Sequence, residues 1–150
     1  MRLTLEADYA VRIINCLCND NNRLEARIIS ERCCITLRFT LKILHKLVTA
    51  GIVRSFKGTN GGYELNMKPS EITLRNVIET VEGTYFFSRC LEEPAVCSSG
   101  KKNCKFQCIF NDISTMVKEK LDNYTFDMFI EEKILNKTQR RPNFHGLLYV

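Results

Sequence analysis

Apolar positions recur at helical spacing from Leu5 to Cys18, through Ala7, Ala10, Val11, Ile14, Leu17 and Cys18. Thr4 is placed to cap that helix, and Glu6 and Asp8 fall in its first turn, where acids favour the positive end of the dipole. The polar run Asn19–Asn22 ends it. A short helix is expected around Glu25–Cys33, with Ile28 and Ile29 inward. After Cys33-Cys34-Ile35, Thr36 is a good cap for the next helix, which runs to about Ala50 and stops at Gly51. Leu37, Leu41, Leu44, Leu47 and Val48 form its apolar stripe, and Arg38, Lys42, His45 and Thr49 lie along another side. Two helices across a brief turn, the second with a basic face, describe a helix-turn-helix.

The pattern then changes period. Ile52–Phe56 reads as a strand, Lys57–Gly62 as a Gly-rich tip containing Thr59, and Tyr63–Leu65 as the returning strand. A hairpin directly after such a helix pair is a wing. The glycines do not open a helix and no G-x-x-x-x-G-K-[ST] pattern is present, so a nucleotide cradle is disfavoured. Beyond Pro69 another helix is capped by Thr73, buried through Leu74, Val77, Ile78 and Val81, and ended by Gly83. A long amphipathic segment, Ile109–Tyr124, carries Ile109, Ile113, Met116, Val117 and Leu121 on one stripe. So small a domain cannot cover that stripe, so it is expected to pack on a second copy of itself in a homodimer. A last short helix from about Thr125 adds Phe126, Phe129, Ile130 and Ile134; a mobile tail is expected over 136–150, and its apolar end, Leu147–Val150, has no account. The fold class is therefore mainly α with a small β wing: a winged helix-turn-helix over 1–86, a cysteine-rich loop over 87–108, and a long C-terminal dimerisation helix with a short following helix over 109–135.

Composition sharpens this picture. At 150 residues and 45% hydrophobic, the chain can bury a core without disulfide staples. With no leader and no run able to span a bilayer, a reducing, cytoplasmic setting is expected, with no membrane partner. The net charge of +5 leans weakly toward polyanions. Cys90, Cys97, Cys104 and Cys108 are spaced C-x6-C-x6-C-x3-C. That spacing lacks the C-x2-C knuckles of common zinc sites and the tight run of bacterial ferredoxins. Disulfides, zinc and an iron–sulfur cluster all stay open on spacing, the wide gaps suiting a loop around a bulkier cluster. Cys16, Cys18, Cys33 and Cys34 are most simply small buried or half-buried apolar residues. No acid–base or nucleophile constellation is evident, so neither an enzyme nor an organic small-molecule substrate is expected.

Met1-Arg2-Leu3-Thr4, Tyr9-Ala10-Val11, Ile29-Ser30-Glu31-Arg32, Ala50-Gly51-Ile52-Val53, the wing set Gly58, Gly61, Gly62, Tyr63 and Leu65, and Arg89-Cys90 with Cys97 and Cys104 belong together. In them the chain resembles the bacterial winged-helix transcription regulators that include the iron–sulfur cluster regulator IscR and the nitric-oxide-sensing repressor NsrR. The resemblance covers about Met1 to Phe129. It implies a dimeric regulator whose cluster, 2Fe–2S or 4Fe–4S, sets its affinity for a pseudo-palindromic double-stranded DNA operator. It assigns Cys90, Cys97 and Cys104 as ligands. The fourth is Asp8 from the partner subunit, as in NsrR-like members, or Cys108; the His of IscR-like members is replaced by Gln107. Cys34 stands at a turn where glycine is frequent, and Leu41 stands where IscR has a Glu.

On the DNA side, Thr36, Arg38, Phe39 and Lys42 occupy the helix turns that enter a major groove, with Arg38 the best donor to a guanine edge. Phe39 either touches a thymine methyl or packs inward. Arg54 and Ser55 suit phosphates, Lys57 a minor groove, and Thr59 lies at the same tip. His45 sits too far along for base contact. The competing classes are a winged-helix regulator with bare thiol sensors or zinc, a regulator answering to a protein partner, and an electron-transfer iron–sulfur protein.

Overall fold

The computed structural model describes residues 3–20, 22–59, 61–93 and 104–130. In chain order these form α1 (Leu5–Cys18), α2 (Ala26–Cys33), α3 (Leu37–Thr49), β1 (Val53–Phe56), β2 (Gly62–Leu65), α4 (Leu74–Glu82), α5 (Arg89–Glu92) and α6 (Lys105–Asp122), with 3-10 turns at Pro69–Glu71 and Phe126–Phe129. This is the expected mainly helical fold with a two-stranded wing. Among the described residues no helix is long and apolar enough to cross a membrane.

α1 is the central element. The Thr4 hydroxyl accepts a hydrogen bond from the Ala7 amide at 3.3 Å, and Ala7, Ala10, Ile13, Ile14 and Leu17 are buried against α2, α3 and α4. α2 is one face deep. Ile29 is buried, but Ile28 is exposed, which corrects the expectation that both face inward. Eight residues offer only a narrow apolar row, and Ile28 lies off it. The turn after α2 puts Cys34 in the left-handed region, with φ 56° and ψ 45°. There the Ile35 amide bonds Ser30 O at 2.9 Å and the Cys34 amide bonds Glu31 O at 3.2 Å. These are the two bonds of a Schellman motif, whose left-handed residue is normally glycine.

α3 is rotated from the expected stripe. Its buried row is Thr40, Ile43, Leu44 and Leu47, while Leu37 and Leu41 are 41% and 43% exposed. A polar residue completes the row because the Thr40 hydroxyl donates to Thr36 O at 3.1 Å and carries no unmet hydrogen bond inward. Thr36 itself makes no side-chain cap bond, contrary to expectation; its carbonyl holds the first turn instead.

The wing pairs antiparallel, Val53 opposite Leu65, Arg54 opposite Glu64, Ser55 opposite Tyr63 and Phe56 opposite Gly62. Tyr63 and Leu24 exchange backbone hydrogen bonds of 2.8 and 3.0 Å, tying the wing to the loop between α1 and α2. Gly62 permits this approach, since a Cβ there would lie 2.8 Å from Leu24 O and its φ is +146°.

α4 is capped by Thr73, as expected, and Asn76 closes a reciprocal pair with it; the helix ends at Gly83. The same segment receives the far end of α6. The Leu74 amide bonds Tyr124 O at 2.9 Å and the Phe126 amide bonds Ile72 O at 3.0 Å. Arg75 pairs with Asp122 at 2.8 Å, and Phe126 is only 1% exposed within the same core as α1, α3 and α4. α6 begins at Lys105, four residues before the expected Ile109, so Cys108 lies on the helix. Only Ser114 of α6 is buried, whereas Phe106, Ile109 and Met116 are exposed. α5 was not expected. Ile134 and the tail from residue 136 lie outside the described residues.

Candidate nucleic-acid interface and thiol loop

The outward face of α3 presents Arg38, Phe39, Leu41, Lys42 and His45, all exposed, with Thr36 at its start. Arg38 forms no ion pair among the described residues, so its guanidinium donors remain available. Phe39 is divided between the two roles open to it: one edge meets the Tyr9 ring at 6.0 Å and 83°, yet 41% of the residue is exposed. Lys42 is engaged. Its Nζ lies 3.1 Å from Glu6 Oε2, and Lys46 takes Glu6 Oε1 at 2.8 Å. Hydrogen bonds from Lys46, then Lys42, hold the Glu6 carboxyl below the usual range against the opposing effect of burial. Glu6 thereby ties the start of α1 to α3.

On the wing, Arg54 Nε donates to Glu64 Oε1 at 2.7 Å, across the strand pair. Arg23 Nε donates to Glu64 Oε2 at 2.9 Å, and its guanidinium lies 3.4 Å from the centre of the Phe56 ring. The two arginines share one carboxylate, leaving a local excess of one positive charge. Ser55, Lys57 and Thr59 are exposed, and Lys57 forms no ion pair among the described residues. Arg23 escapes sequence reasoning because it sits in the loop after α1, remote in the chain from the wing it supports. Tyr9 is visible only as part of the family pattern; its role behind Phe39 needs the packing of α1 on α3.

The thiol loop is organised by α6. Gln107 Nε2 donates to Cys90 O at 3.2 Å, and Cys90 Sγ lies 3.2 Å from Ser88 Oγ. The Phe87 amide donates to Ser114 Oγ at 2.9 Å while its ring lies 5.4 Å from that of Phe110. Ser114 returns its own proton to Phe110 O at 2.8 Å. Residues 87–90 are thus lashed along the first half of α6. Cys104 is the residue from which α6 starts, and both it and Cys90 are half-buried free thiols. Cys108 is exposed one turn on. Gln107 therefore meets Cys90 at its backbone.

Cys97 lies outside the described residues. Asp8 is engaged on its own helix by Arg12 at 2.8 Å. Among the described residues no group of three metal-ligating side chains converges. The donors that are placed, the half-buried thiols of Cys90 and Cys104, are soft ligands of the kind that hold zinc or an iron–sulfur cluster.

Comparison with known proteins agrees with this geometry. The family model Rrf2, described as an iron-dependent transcriptional regulator, matches residues 3–132. The chain is 30% identical over 135 residues to protein aau3 of Rhizobium meliloti, covering 89% of this chain and 87% of that protein. It is 28% identical over 150 residues to the HTH-type transcriptional regulator IscR of Aliivibrio salmonicida, covering 99% and 88%. Among solved structures, T. potens IscR superposes with a TM-score of 0.68 at 19% identity over 85% of this chain and 84% of that one. CymR, the global cysteine regulator of B. subtilis, superposes with a TM-score of 0.69 at 22% identity over 85% and 94%. The family model, the Aliivibrio salmonicida protein and CymR are all described as regulators. From the core built on α1, through the exposed face of α3, to the match over nearly the whole described chain, the protein belongs to the Rrf2 family of winged-helix transcriptional regulators.

Proposed function

We propose that this regulator is a homodimer that binds a pseudo-palindromic DNA operator and answers to an iron–sulfur cluster held by Cys90, Cys97 and Cys104. The observation that carries the proposal is the double attachment of α6. Its first half is fastened to the cysteine segment through Gln107 and Ser114. Its last turn is fastened to the winged core through Asp122, Tyr124 and Phe126. A change at the thiols therefore has one stiff element through which to reach the reading head.

On the DNA side, Arg38 reads a base edge, Phe39 and Leu41 offer apolar contact to thymine methyls, and Lys42 adds charge once it leaves Glu6. Ser55, Thr59 and Arg54 contact phosphates, and Lys57 enters the minor groove. The uncovered α6 residues Phe106, Ile109 and Met116 supply the apolar face for a second copy. When bound, a 2Fe–2S or 4Fe–4S cluster supplies a redox-labile cross-link among the three thiolates. The fourth ligand is the partner subunit's Asp8, after it parts from Arg12, or Cys108 on α6. Gln107 keeps Cys90 against α6 in either case.

Anaerobic purification followed by absorption spectroscopy and iron and sulfide assay tests the cofactor. Coloured protein with matched iron and sulfide, lost in the Cys90→Ser, Cys97→Ser and Cys104→Ser variants, is expected. Protein that stays colourless after reconstitution, or holds zinc without sulfide, contradicts it.

A further inference from the structure

The four N-terminal cysteines are not all inert packing. Cys16, near the end of α1, and Cys33, the last residue of α2, sit on the two sides of the contact between those helices. Cys33 Sγ also lies 3.6 Å from Arg12 O. The Arg32 guanidinium, bound to Asp20 at 2.7 Å, stands in the same cleft as Cys16. Cys16, Cys33, Cys34, Arg12 and Arg32 line one open cleft of about 450 Å³. Apolar packing alone has no use for two thiols, a guanidinium and a solvent-open cleft in the same place.

We propose that Cys16 and Cys33 are a peroxide-reactive thiol pair that closes to a disulfide across the helix-turn-helix, separately from the cysteine loop. The Cys16 thiolate attacks one oxygen of a hydroperoxide; an S–O bond forms, the O–O bond breaks, and the other oxygen leaves and takes up a proton. The Cys33 thiol then gives up its proton and attacks the Cys16 sulfenic acid. The S–S bond forms, the S–O bond breaks and water leaves. With hydrogen peroxide the two thiols lose two electrons and two waters form. The division of labour follows from surroundings: the hydrogen bond with Cys33, then Arg32, draws the Cys16 thiol down to about 7 despite partial burial. The same contact and burial push Cys33 up, so it stays protonated as the resolving partner. Cys18, two residues from Cys16, is pushed up to about 12 by burial and stays inert.

Closing the bond draws the two sulfurs to about 2.05 Å. The pull falls on Cys33, directly before the left-handed Cys34 and three residues before Thr36, where α3 begins. The consequence for DNA rests on the proposed function; the disulfide does not.

The full chain, reduced and handled anaerobically, is treated with hydrogen peroxide, denatured in alkylating agent and mapped by peptide mass. A Cys16–Cys33 linked peptide is expected, with Cys18 alkylated as a free thiol and the rate of linkage rising through about pH 7. Cys16→Ser, at a half-exposed site, abolishes the linkage while keeping its helical circular dichroism; Cys33→Ala is the second variant. Both cysteines recovered as free thiols, or either linked elsewhere, overturns the pair. In the DNA arm, peroxide weakens operator binding about 5- to 150-fold more in the unaltered chain than in Cys16→Ser, and dithiothreitol restores it. Any cluster damage is common to both proteins. A mapped disulfide with equal affinities overturns the consequence and leaves the chemistry standing, whereas failure of reduced protein to bind any DNA overturns the function proposed above.

Discussion

Cys34 holds the sharp turn of the reading motif at φ 56°, the one left-handed non-glycine among the described residues. A Cβ in that region costs free energy that glycine avoids, while glycine loses more freedom on folding. The first effect exceeds the second here, because two backbone hydrogen bonds enforce the conformation. Cys34→Gly is therefore expected to raise stability by about 0.5–1 kcal/mol in denaturant melts. Among the described residues no carboxylate pairs with Arg38, and Arg38→Ala should cost about 1–3 kcal/mol at one operator position while leaving random DNA nearly unaffected. Equal loss on both would remove it from base reading. Lys57→Ala should instead weaken binding to all sequences and lower the salt slope by about one. Glu6 makes a pH prediction. Its carboxyl titrates lower in the folded chain than in the unfolded one, so the unfolded state binds its proton first as pH falls. Its stabilisation is thus complete above the ordinary carboxylate range and is lost as pH falls through its lowered value. Glu6→Gln should cost no more than about 1 kcal/mol near neutrality and flatten the acid limb of the stability curve.

At the scale of elements, periodicity and caps made most of the fold legible. α1 has its expected bounds because Thr4, the apolar row and the Asn-rich stop all act locally. The Gly-rich wing and the Thr73–Gly83 helix follow for the same reason. The misplacements arise where a tertiary partner decides. Thr40 is buried in α3 because its hydroxyl finds a backbone carbonyl, which an apolar count passes over. α6 starts at Lys105 because Gln107 and the Phe87–Phe110 contact hold its first two turns, and both partners come from another segment. The site divides likewise. That Arg38 and Lys57 are exposed follows from their positions in the helix and the wing tip, whereas the pairing of Arg54, Lys42 and Asp8 with their own neighbours depends on side-chain geometry. Phe126 shows how far the last turn matters: Phe126→Ala should cost about 3–5 kcal/mol in a chemical melt and loosen α6 from the winged core. A loss no larger than that of an exposed residue would mean that this attachment is not part of the core.

The molecule as a whole joins two chemistries through one helix. The cysteine segment grips the first half of α6, and α4 with the Phe126 turn grips its end. In the proposed dimer a second copy would sit on the apolar residues left bare along α6, and two reading heads would share what the thiols hold. Operator affinity of cluster-loaded and metal-free protein, titrated against the same duplex at one fixed salt concentration without oxygen, tests this most directly. The two states are predicted to differ about 5- to 150-fold. Identical affinities, in protein whose iron and sulfide content is verified before and after, would contradict it.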